Sequence, residues 1–98
     1  MTQSFFLIQY VQTGSNALRE EKRGEHIAYR KGLGEALALA GPLLDDEGRP
    51  VGSVIILAAG SKADADRLAT GDPFVEAGLL ALESIKPMRI AAMVPPRP

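Results

Sequence analysis

Apolar side chains gather in runs separated by charged or glycine-rich stretches, and the spacing inside each run predicts the elements. The first run, Phe5-Phe6-Leu7-Ile8 with Tyr10 and Val11, stops at Thr13-Gly14-Ser15-Asn16. Its length and β-rich content predict a strand over about residues 3–12. Ser15 or Asn16 then offers an N-cap to a charged segment, predicted as a helix over about residues 17–34. At roughly 100° per residue, Leu18, Tyr29 and Leu33 share one stripe that also holds Lys22, and His26 falls on its edge. His26 therefore borders the buried face. Gly24, Gly32 and Gly34 each weaken the helix by about 1 kcal/mol against alanine, and the last two predict its end.

The alanine and leucine run before Asp45 fits helix or strand by periodicity, and its propensity favours helix. Its neighbours decide. Asp45-Asp46-Glu47-Gly48-Arg49-Pro50 is turn chemistry, and Val54-Ile55-Ile56-Leu57 marks a strand over about residues 51–59. A hairpin needs a strand before its turn, so about residues 37–44 are predicted extended, with Pro42 at an edge or bulge. Ser61, three residues before Asp64, opens a helix over about residues 62–70 with Ala65, Leu68 and Ala69 inward, and Gly71 ends it. Asp72-Pro73 is a second N-cap with proline at the first helical position, predicting one turn over about residues 73–77 before Gly78. About residues 79–93 predict a long strand interrupted by Pro87, and residues 95–98 an extended proline-rich tail. The order βαββαβ is that of a ferredoxin-like α+β fold, a four-stranded antiparallel sheet with its helices on one face. The expected organisation is a single domain over residues 1–94, followed by that tail.

Composition narrows the chemistry. The 98 residues form a domain that buries only about 60–65% of its surface, and many of its apolar side chains are small alanines. Both features favour an oligomer, with a second copy covering the free face of the sheet. Eleven basic against twelve acidic side chains leave a net charge of −1, so no global field draws nucleic acid or anionic lipid. The absence of cysteine and the single histidine remove disulfides, thiol nucleophiles and thiolate or multi-histidine zinc sites. No apolar run approaches the roughly 20 residues of a membrane span. Phe5-Phe6-Leu7-Ile8 is too short for a signal peptide core, and no basic region precedes it. A cytoplasmic protein with neither membrane nor nucleic acid as partner is expected.

His26 is the side chain here whose ordinary pKa, about 6.5, lies near neutrality. Spacing alone favours an ordinary partly buried histidine over a functional one, makes Asp72 a helix cap, and makes Gly41-Pro42 a turn device rather than a pocket floor. Asp45-Asp46-Glu47 lacks the alternating oxygen ligands of a calcium loop. Gly32-Leu33-Gly34 follows a helix instead of opening one, so it is no phosphate loop. Arg19, Lys22, Arg23, Arg30 and Lys31 are interleaved with Glu20, Glu21 and Glu25, which predicts a solvated face rather than a basic strip. None of Ser4, Ser15, Ser53, Ser61 and Ser84 sits in a nucleophile elbow.

Taken together, EHIAYRKGLGEALALAGPL, DDEGRPVGSVIIL and ATGDPFVEAGLLALESIKPMR resemble the YCII-related (YciI-like) family across about residues 6–90. The combination is a histidine in the first helix, a Gly-Pro-Leu strand end, and Asp-Pro-Phe followed by a glycine. The resemblance implies a dimeric α+β barrel, in which two protomers pack sheet against sheet as a homodimer and each holds a cleft. It implies a catalytic dyad of His26 and Asp72, with Tyr29, Gly41, Pro42, Pro73 and Phe74 as substrate contacts. Neither a cofactor nor a metal is expected. The ligand would be a small organic molecule, since one member is a dehydrochlorinase of chloroaromatic breakdown. The implied activity is that of a lyase or isomerase using His-Asp acid/base chemistry: elimination, a dehydrochlorination-like step or isomerisation. Alternatives are a non-catalytic binding or regulatory module and a cofactor-free oxygenase. The family's usual aromatic after the last-strand proline is Met88 here.

Overall fold

The structure, a computed structural model, describes residues 4–94. Its elements are β1 (Ser4–Gln12), α1 (Asn16–Gly32), a 3-10 turn (Gly34–Ala36), β2 (Leu37–Leu44), β3 (Pro50–Ala59), α2 (Lys62–Thr70), α3 (Pro73–Glu76) and β4 (Leu80–Met88). The strands lie in the order β2-β3-β1-β4, every neighbouring pair antiparallel. This is the expected ferredoxin-like α+β fold, with the short α3 inserted before the last strand. Two of the three strand prolines fall on the sheet's edges, Pro42 in β2 and Pro87 in β4, and the third, Pro50, is the first residue of β3, positions where a missing N–H is tolerated.

Local chemistry sets most boundaries. Ser15, not Asn16, caps α1 by accepting the Leu18 N–H, and Ser61 caps α2 by accepting that of Asp64. Asp45 organises the β2–β3 turn by accepting the Glu47 and Arg49 N–H groups, while Gly48 takes the left-handed φ of 82°. One expectation is corrected: strand β4 stops at Met88, which pairs with Phe5, and not near residue 93. Helix α1 ends at Gly32, the first glycine of the pair expected to stop it, and a 3-10 turn carries the chain on to β2. Gln3 and the proline-rich segment 95–98 lie outside the described residues. Among the described residues, no helix is long and apolar enough to cross a membrane.

Alternation along the strands divides the sheet into two faces. Phe6, Ile8 and Tyr10 of β1 join Leu57 and Ala59 of β3 and Leu80 of β4 in the core, closed by Ala65, Ala69, Phe74 and Leu79. The opposite face carries Leu7, Val54 and Ile56 beside Val11, Leu39 and Leu43, the last three 42%, 47% and 38% exposed. Helix α1 buries no residue fully and reaches the core through Leu18 and through Leu33, which follows its last turn.

The end of α2 decides where the site forms. A helix terminus leaves its last carbonyls without intrahelical partners, and here two tyrosines from other elements satisfy them. Tyr10 Oη donates to the Ala69 carbonyl at 2.9 Å, and Tyr29 Oη to the Leu68 carbonyl at 2.7 Å. Burial first, then the nearby Asp72 charge, holds both hydroxyls protonated above the usual tyrosine range. Gly71 follows directly, and a Cβ there would stand 2.7 Å from Tyr29 Oη. Only glycine lets the ring lie this close. The chain then leaves α2 with Asp72 aimed back toward α1.

Candidate functional site

Asp72 is the N-cap of α3, and its Oδ1 accepts the Phe74 N–H at 2.8 Å. The same carboxylate receives His26 from α1, with Nδ1 2.9 Å from Oδ1 and 2.8 Å from Oδ2. A carboxylate only accepts, so Nδ1 carries the proton and Nε2 of the neutral ring keeps its lone pair. Both side chains are 13% exposed. Nε2 has no hydrogen-bond partner among the described residues, and no polar side-chain atom there is both occluded and unpartnered. It therefore faces solvent in the cleft. The capping role read for Asp72 and the pairing with His26 are two uses of one carboxylate.

Phe74 fixes the ring from beneath. Its side chain is 1% exposed and stacks on the imidazole with centroids 3.9 Å apart and planes 7° from parallel. The Arg19 guanidinium lies 5.2 Å from the Phe74 centroid, a cation–π distance. It is also tied by Nε to Gln12 Oε1 at 3.0 Å and by Nη2 to the Gly52 carbonyl at 3.3 Å. Burial pulls the Arg19 pKa below its ordinary value, and the Asp72 charge opposes that pull. The imidazole thus rests on an immobile aromatic plate, oriented by a carboxylate and flanked by a fixed positive charge.

Above it opens a cleft of about 270 Å³. His26, Pro42 and Phe74 line it, and Asp72 lies behind His26. Tyr29, Gly41 and Pro73, expected as substrate contacts, are not among its lining residues. Tyr29 turns to the end of α2, the Gly41 carbonyl accepts the Ser53 hydroxyl, and Pro73 borders a separate depression with Lys22 and Glu25. Met88, the departure from the family pattern, is not among the cleft's lining residues and borders a separate depression with Leu39 and Ile56.

The basic side chains of α1, expected on a solvated face, include Arg23 at 63% exposure paired with Glu20, and three of them also border the cleft. Arg19, Arg23 and Arg30 line the cleft with His26 and Ile27. Counted from Arg19, those positions fall at i+4, i+7, i+8 and i+11, one stripe of a helix. The signal was in the sequence, hidden by glutamates that alternate along the chain but point mostly elsewhere around the helix. Glu20 alone of the three shares the cleft wall.

The YCII-related domain family matches the chain over residues 4–89. Among solved structures, the chain is similar to 5-chloro-2-hydroxyhydroquinone dehydrochlorinase (TftG) from Burkholderia phenoliruptrix AC1100 in complex with 2,5-dihydroxybenzoquinone. The two are 30% identical with a TM-score of 0.70, over 87% of this chain and 91% of that one. No curated protein matches.

Proposed function

The chain belongs to the YCII-related family, and from that premise we propose that it is a small-molecule enzyme whose His26–Asp72 pair drives a cofactor-free elimination of the dehydrochlorination kind, or an isomerisation. The observation that carries this is the free Nε2 of an imidazole whose Nδ1 is held by a carboxylate 2.8 Å away. In an elimination, Nε2 takes a proton from the substrate and the electron pair left behind forms a new double bond. The leaving group, chloride in a dehydrochlorination, departs with its bonding electrons. Asp72 stabilises the imidazolium that forms, which then returns its proton to water. An isomerisation uses the same base and hands the proton back at another atom. The similarity to a dehydrochlorinase supports the first of these.

Asp72→Asn separates the two uses of the carboxylate. Asparagine caps about as well as aspartate, so stability should fall by less than about 1 kcal/mol. The variant loses the charge opposite the imidazolium, and its amide no longer selects the Nδ1–H tautomer. Turnover of 5-chloro-2-hydroxyhydroquinone, the substrate named for the similar dehydrochlorinase, read as chloride release, should fall by roughly 10²-fold or more. By NMR the far-downfield Nδ1–H resonance should disappear. A folded variant that keeps both the resonance and the rate would reduce Asp72 to a cap, and wild type that binds the chlorinated hydroquinone without releasing chloride would be a binding module.

We also propose that the working unit is a homodimer closed through the open face of the sheet. Val11, Leu39 and Leu43 are large apolar side chains left exposed there, a patch that soluble monomers seldom tolerate. Sedimentation should give twice the chain mass. Ile56→Lys, on that face, should shift the protein to monomer, and a wild-type monomer at micromolar concentration would end the proposal.

A further inference from the structure

We propose that the His26 cleft selects a small molecule bearing an oxyanion, a carboxylate or an ionised enol or phenol, held by Arg23 and Arg30 with its apolar body against Ile27, Pro42 and Pro50. This names the substrate class of the site and rests on the acid/base reading above. Arg23 and Arg30 are seven residues apart, two turns and about 10 Å along the axis on nearly the same face of α1, with His26 and Ile27 between them. All four line one cleft, so an anion held by the two arginines shares it with the imidazole.

The three arginines of the cleft are not equally committed. Arg19 is spent on Gln12, Gly52 and the Phe74 ring. Arg23 meets Glu20 at 3.6 Å with the two side chains 63% and 72% exposed, a pairing weak enough for an incoming anion to displace. Arg30 lines the cleft and makes no ion pair among the described residues. Three guanidinia therefore face Glu20 on the wall and Asp72 behind it, which leaves one positive charge in excess with His26 neutral and two once it is protonated. The chain as a whole carries −1, so this excess is local to the cleft. Guanidinium donors so placed also stabilise negative charge that builds on the substrate oxygen as His26 removes a proton.

A pair of probes on one ring skeleton tests the charge: 2,5-dihydroxybenzoquinone, an acidic enol, and its neutral dimethyl ether, each titrated against the full chain and against the arginine variants by calorimetry and by the His26 ring resonances. Wild type should bind the anion at least roughly tenfold more tightly than the ether, and its affinity should fall as salt rises. The double variant Arg23→Gln, Arg30→Gln should lose about tenfold for the anion and nothing for the ether, with Arg30→Lys restoring part of the loss. Glutamine forms helix about as well as arginine, so α1 should persist, and far-ultraviolet circular dichroism verifies this. Equal affinities for the two probes, no saturable binding of the anion, or anion affinity unmoved by the double substitution would overturn the proposal. The acid/base reading fails separately. Anion selectivity that persists in a protein without turnover sinks catalysis alone, and turnover indifferent to both arginines sinks the anion clamp alone.

Discussion

Replacing His26 by glutamine should leave a folded protein that still binds ligand and turns it over roughly 10²- to 10⁴-fold more slowly. Glutamine is a good helix former, and its amide can still donate to Asp72, so neither α1 nor the α3 cap loses its partner. What it lacks is a lone pair that accepts a proton near neutral pH. The loss should therefore appear in kcat, with KM little changed, and the acid limb of the pH–rate profile should vanish. Steady-state chloride release by wild type and variant across pH provides the measurement. A variant that retains both rate and pH profile would remove His26 from the chemistry.

Phe74→Ala should cost about 3–5 kcal/mol, the usual scale for deleting a buried phenylalanine. At roughly 0.05–0.15 kcal/mol per residue, a domain of this size has about 5–15 kcal/mol in all, so the variant sits near unfolding. The cost is concentrated because one ring fills the core beneath α1, supports the His26 ring and neighbours the Arg19 guanidinium. Urea midpoints measure the effect. Phe74→Leu keeps most of the apolar volume and should lose far less stability while freeing the imidazole from its stack. That variant should stay folded and show a broader range of His26 ring orientations by NMR. A Phe74→Ala midpoint equal to wild type would mean that other core residues close the gap.

The order of elements was legible in the sequence because each boundary depends on groups a few residues apart. Ser15 caps with Leu18, Ser61 with Asp64, Asp72 with Phe74, and the Asp45–Arg49 turn closes on itself. Such contacts form within one turn of chain, and strand alternation likewise reports on neighbouring residues only. The pairing of His26 with Asp72 was legible through family resemblance, not through spacing, which read one as an ordinary histidine and the other as a cap. Forty-six positions separate them. Their meeting required α2 to end against Tyr10 and Tyr29, Gly71 to admit the tyrosine ring, and Phe74 to enter the core. The same packing turned Tyr29 away from the cleft and brought the arginine stripe of α1 to face Pro42 and Pro50. Local hydrogen bonds choose the conformation of a segment; which side chains then converge is set by how the segments bury their apolar faces against one another, and that burial is a property of the assembled core.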